Sequence, residues 1–170
     1  MKNSGFKKKI NSILILLLIV TVVSCNQKEN VKTAGNDTSG KVLIVHSGEP
    51  LDSLVLKLRN TSNIRQEGYV LIIPTEKSTN NERLKELKRE FYKQAVYAVH
   101  VLDESSNNNL KKTDVIAIEK AEIICFTGNG SGGFYKWASA NHMNEHLRAA
   151  YRKGATVAGQ ENVLSKFNFK

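Results

Sequence analysis

Apolar positions along this chain come in two textures. Short, mainly apolar runs lie at residues 42–45, 69–73, 96–102, 122–126 and 155–158, with His100, Glu122 and Thr156 as their polar members. Runs of that length without polar alternation read as strands buried on both faces. Between them lie polar stretches in which apolar residues recur three and four positions apart. Leu51, Leu54, Val55 and Leu58 share one face of a predicted helix over 51–60, with Asp52 or Ser53 near its start. Leu84, Leu87 and Phe91 do the same over 80–94, and Ile116 and Ala117 over 113–120. A longer helical stretch covers 134–153 with a break near Asn141. Five apolar strands alternating with amphipathic helices predict a three-layer α/β domain. Its sheet is mostly parallel, with helices on both faces, in the manner of flavodoxin-like folds. Cys125 falls inside the fourth strand and is expected in the core. His100 lies inside the third and is expected to be structural. The fifth strand is expected to leave an open sheet edge that invites pairing or cover.

The N-terminus has a different character. Lys2, Lys7, Lys8 and Lys9 precede an apolar run over residues 10–23, which ends in Val22-Val23-Ser24-Cys25. A cationic start and an apolar stretch shorter than the about 20 residues of a spanning helix describe a secretory signal. The four residues ending at Cys25 resemble the lipobox of bacterial lipoproteins. That resemblance implies cleavage before Cys25, two acyl chains on its sulfur through a diacylglycerol, and a place on the extracytoplasmic side of the bacterial cell envelope. Residues 25–40 are polar and lack apolar pattern, as a flexible tether does. The organisation expected is therefore signal peptide 1–24, tether 25–40 and domain 41–165.

This division changes the meaning of the charge. The whole chain carries +9, but residues 1–24 hold four lysines and no acid, so +5 remains over the following 146 residues. Lys85, Lys88 and Arg89 alternate with Glu82, Glu86 and Glu90, which makes a solvated helix face rather than a phosphate-binding stripe. Nucleic acid is not an expected partner; the lipid membrane is. Two cysteines do not make a disulfide framework.

Three segments carry a family resemblance. Val70-Leu71-Ile72-Ile73-Pro74-Thr75 ends an apolar strand in a threonine turn. Lys120-Ala121-Glu122-Ile123-Ile124-Cys125-Phe126-Thr127-Gly128 is a strand running into glycine. Arg148 through Gly159 is an amphipathic helix end followed by Ala155-Thr156-Val157-Ala158-Gly159. In this order and spacing they resemble the cyanophycinase and dipeptidase E family of serine peptidases, within the class I glutamine amidotransferase-like fold. The resemblance implies hydrolysis of peptide or isopeptide bonds, often beside acidic residues, and a peptide-like ligand. It also implies a nucleophilic serine just after the fifth strand. There the sequence reads Gly159-Gln160-Glu161-Asn162-Val163, so Glu161 stands in the serine's place and β-branched Val163 in a glycine's. The family's histidine and acid follow that turn, and the chain stops at Lys170. The expectation is a C-terminally truncated and catalytically inactive relative.

Other residues offer alternative chemistry. Gly128-Asn129-Gly130-Ser131-Gly132-Gly133 matches G-x-G-x-x-G, but it follows the fourth strand and no acid closes the next one, as a dinucleotide site requires. No cofactor is expected. Backbone N–H groups of this loop suit an anion, and Ser131 is a candidate relocated nucleophile with His46, His142 or His146 as base. His142-Met143-Asn144-Glu145-His146 matches H-x-x-E-H, which would place two zinc ligands on one helix face, with Glu161 alone left as a third. The plainer alternative is a polar surface helix with Glu145 spaced to meet Arg148. His46 follows the first strand, at the carboxyl edge where open α/β sheets bind ligands. With Ser47, Glu49, Thr75 and Glu76 it is expected to line one crevice with Gly128, Asn129, Gly130 and Ser131.

Overall fold

The alternating runs become alternating layers. The computed structural model describes residues 39–62, 64, 68–76, 81–102 and 109–169. The signal segment 1–24, Cys25 and the tether up to residue 38 lie outside the described residues. The elements are β1 (Lys41–Ile44), α1 (Leu51–Ser62), β2 (Tyr69–Pro74), α2 (Asn81–Lys93) and β3 (Ala98–Val101). Then follow α3 (Lys112–Lys120), β4 (Ile123–Thr127), α4 (Gly132–Ala140), α5 (Met143–Arg152), β5 (Thr156–Gly159) and α6 (Glu161–Leu164). Among the described residues no helix is long and apolar enough to cross a membrane.

All strand pairs are parallel, in the order β1-β5-β4-β2-β3. Connections from β1 to β2 and β2 to β3 run one way across the sheet, and those from β3 to β4 and β4 to β5 run back. Single-handed crossovers send the two directions over opposite faces. The packing agrees. Leu54, Val55 and Leu58 of α1 and Leu87 and Phe91 of α2 pack with Val70, Ile72, Ile123 and Cys125. Ile118 of α3, Phe134 of α4 and Met143 and Leu147 of α5 pack with Leu71, Ile73, Ile124 and Phe126 on the other face. Odd and even residues of one strand thus feed different cores, which is why β2 and β4 carry no polar alternation. This is a three-layer, flavodoxin-like α/β fold.

Two expectations are corrected. β5 is not an edge, because β1 pairs along it from Lys41↔Thr156 to Ile44↔Gly159. Among the described residues the edges are β1 and β3. The third strand begins at Ala98 rather than residue 96, since the chain leaving α2 turns at Ala95 with φ +59° before the buried Val96. His100 is exposed on β3, where its ring stacks on Tyr69 at 6.4 Å. Cys125 is buried as expected.

Candidate functional site at the carboxyl rim of β2 and β4

The chain reverses its direction across the sheet between β2 and β4. The ends of two strands whose connections leave in opposite directions cannot be covered by either helix, and α/β sheets bind ligands in the crevice that results. Here those ends are Pro74 and Thr127, which stand in register. The turn after β2 supplies Thr75 and Glu76; the turn after β4 supplies Gly128, Asn129, Gly130 and Ser131.

These two turns are latched to each other. Thr75 is fully buried. Its backbone N–H donates to the Thr127 carbonyl at 2.8 Å, and its carbonyl accepts the Ser131 N–H at 2.9 Å. Its hydroxyl donates to the Thr127 carbonyl at 3.0 Å and accepts the Gly130 N–H at 2.9 Å. Glu76 Oε1 accepts the Asn129 N–H at 2.8 Å. Three consecutive N–H groups of the glycine-rich turn are therefore spent on the turn after β2. The glycines follow from this closeness. Gly128 holds φ +97°, and a Cβ there would come within 2.9 Å of Thr75 Oγ1. Gly130 holds φ +82°, and a Cβ there would collide with the Tyr135 hydroxyl. Both are the left-handed, close-approach positions that glycine serves.

Ser131 starts α4. It is the N-cap, and its Oγ accepts the Phe134 N–H at 3.1 Å, satisfying one of the donors a helix start leaves unpaired. Asn162 of α6 closes the other side: its Nδ2 donates to the Asn129 carbonyl at 2.7 Å, while its own carbonyl accepts the Tyr135 hydroxyl at 3.5 Å. Burial pushes the Tyr135 phenol above its ordinary value of 10.0. Sequence reasoning did not select Asn162 or Tyr135. The collision between Gly130 and Tyr135 links positions five apart, yet nothing in the letters between them announces it.

The sequence-selected residues divide into those the fold gathers and those it does not. Thr75 and the run from Gly128 to Ser131 share one knot, with Glu76 beside them. His46 stands on the same rim at the exposed end of β1, separated from β4 by β5. Its backbone N–H reaches Glu49 Oε2 at 3.4 Å, and Glu49 in turn meets Lys57 at 3.8 Å. Glu161 is exposed in the first turn of α6. The backbone there is relaxed: Gln160 caps the helix at φ −68° and ψ 149°. A nucleophile elbow needs a sharp, strained strand-to-helix turn.

The histidine pair diverges. His142 sits outside α5, at φ +51°, where Asn141 ends α4 by donating Nδ2 to the Trp137 carbonyl. Its Nδ1 lies 3.5 Å from Glu145, and His146 Nδ1 lies 3.1 Å from Glu119 on α3. The two rings thus pair with different carboxylates, because the break expected near Asn141 leaves His142 outside the helix that carries His146. Among the described residues no group of three His, Cys, Asp or Glu side chains is placed to hold a metal ion. A hollow of about 460 Å³ opens where α4, the start of α5 and residues 166–167 meet, lined by Tyr135, Ala138, His142, Glu145, Lys166 and Phe167 among others.

No family profile matches the chain, and no curated protein is significantly similar to it.

Proposed function

We propose that this chain is a bacterial lipoprotein, anchored through acylated Cys25 on the outer side of a membrane, whose α/β domain is a non-hydrolytic relative of the cyanophycinase and dipeptidase E peptidases. Its rim at β2 and β4 receives a peptide-like ligand without cleaving it. The observation that carries this reading is the turn after β5. Gln160 and Glu161 run into α6 with ordinary dihedrals, and an exposed carboxylate stands where the resemblance calls for a serine. Ser131, the alternative nucleophile, caps α4, its Oγ accepting the Phe134 N–H. His142 and His146 are paired with carboxylates, and His46 leads from the edge strand. A nucleophile needs a base within hydrogen-bond reach, and among the described residues no hydrogen bond joins Ser131 to any of these rings. What the rim retains is shape: Thr75 and Glu76 are joined to Thr127 and the turn after it by five hydrogen bonds, with Glu76 at the mouth.

Two measurements test the reading. A fluorophosphonate probe is expected to leave the full chain unlabelled; labelling that disappears in Ser131→Ala would make the protein a serine hydrolase. Fractionated bacterial cells are expected to hold the protein with the membranes and to release it when Cys25 is replaced by Ser. Two acyl chains give the stable anchoring that one does not, so equal retention of Cys25→Ser would end the lipoprotein reading.

A further inference from the structure

We propose that the outer edge of β1 pairs, antiparallel and across a two-fold axis, with β1 of a second copy of this chain. In the pairing with β5, the N–H groups of Lys41 and Val45 donate inward, to Ala155 and Gly159 at 3.2 and 2.9 Å. Alternation along a strand then turns the N–H and C=O groups of Val42 and Ile44 outward, and among the described residues no strand lies beyond them. Their side chains are exposed as well, at 44% and 43%, on the sheet face that carries Val157 in the core. The edge lacks the devices that protect lone strands: it has no proline and no bulge, and its one charge is tied back, Lys41 Nζ donating to the Thr61 carbonyl at 2.6 Å.

Such an edge is complementary to itself. An antiparallel pair centred on Leu43 sets Val42 of each copy against Ile44 of the other, as two hydrogen-bonded pairs. Each exposed apolar side chain then covers its counterpart. Leu43 meets Leu43 as the central non-hydrogen-bonded pair. A second copy is the occupant because the residues that join the described domain at Ser39 arrive directly before β1. Residues 25–38, fully extended, span about 45 Å, enough for two domains anchored in one plane to turn these edges together. One strand pair buries less than the about 1,200 Å² of a standard stable interface, and confinement to a membrane supplies the missing concentration. That last step rests on the anchored reading above; the register does not.

The test is disulfide trapping in bacterial membranes holding the full chain. Leu43→Cys places two thiols across a non-hydrogen-bonded pair with Cα atoms about 4.5 Å apart, within disulfide reach. Cys125 stays silent because burial pushes its thiol up to about 12. Leu43→Cys is expected to form a disulfide dimer at least about tenfold faster than Lys57→Cys, an exposed position on α1 that reports collision alone. Adding Val42→Lys and Ile44→Lys, both at exposed positions, is expected to abolish the difference without lowering Tm. Equal rates for the two cysteines, trapping that survives the lysines, or an adduct with a different protein would each overturn the proposal. A wild-type dimer linked through Cys25 would show that Cys25 is not acylated. Leu43→Cys is then compared in a Cys25→Ser background at about millimolar protein, so the anchor and the edge fail separately.

Discussion

Replacing Thr75 by Val removes the hydroxyl at the centre of the rim while keeping the side chain's shape. The Thr127 carbonyl loses one donor but keeps the Thr75 N–H at 2.8 Å. The loss therefore falls on the Gly130 N–H, which donates to Thr75 Oγ1 at 2.9 Å and, among the described residues, has no other hydrogen-bond partner. A buried donor left unpaired costs about 1–3 kcal/mol. Gly130 is half-buried, so water recovers part of this and the bottom of the range applies, about 1–1.5 kcal/mol. For a domain of this size each kcal/mol lowers Tm by about 4 °C, so a fall of about 4–6 °C is expected in thermal unfolding of the full chain. Amide hydrogen exchange locates the effect. The Gly130 amide is expected to be protected in the wild type and in Thr75→Ser, and to exchange freely in Thr75→Val. Stability within about 0.5 kcal/mol of wild type, the scatter of substitutions that touch nothing, would refute the reasoning. So would unchanged protection at Gly130.

Other consequences are as specific. Gly130→Ala adds both a left-handed strain of about 1–2 kcal/mol and a collision with the Tyr135 hydroxyl; in a double-mutant cycle, Tyr135→Ala is expected to recover the collision and leave the strain. Phe134→Ala empties a fully buried site bounded by Phe126, Tyr135, Trp137 and Phe167, and is expected to cost about 3–5 kcal/mol in urea unfolding. The hydrogen bond from His146, helped by Lys153, holds the Glu119 carboxyl below its ordinary value of 4.5. A carboxyl lowered by folding stabilises the native state above that value, and the contribution is lost as pH falls through the lowered one. Glu119→Gln is accordingly expected to flatten the acid limb of the stability curve by less than about 1 kcal/mol; an unchanged acid limb would contradict the pairing.

What the sequence disclosed and what it withheld follow from the range of the forces involved. The cores of β2 and β4 were legible because burial on both faces leaves an unbroken apolar run, and Pro74 marked where one of them stops. The break near Asn141 was legible as an interruption, but its consequence was not. The H-x-x-E-H spacing assumes a continuous helix, and the left-handed turn at His142 sends the two imidazoles to Glu145 and Glu119 instead. Strand order was out of reach, since β1 and β5 lie more than a hundred residues apart and their pairing is main-chain hydrogen bonding that any residue supplies. For the same reason the open edge was expected on β5, one strand away from where it lies. At the rim, residue types pointed to Thr75 and the glycine-rich turn. The latch between them, a side chain and an N–H separated by 55 positions, exists only once the switch between β2 and β4 has formed.

The rim between β2 and β4 is proposed to hold a peptide-like ligand and not to cut it. Titration of the isotopically labelled full chain in detergent with an aspartyl dipeptide, followed by amide NMR and by analysis of the same sample for free amino acids, tests both halves at once. Saturable shifts are expected at the amides of Glu76, Asn129 and Gly130, with the dipeptide recovered intact. Free aspartate accumulating in the wild type but not in Ser131→Ala, or saturation with no shift at those three amides, would contradict that proposal.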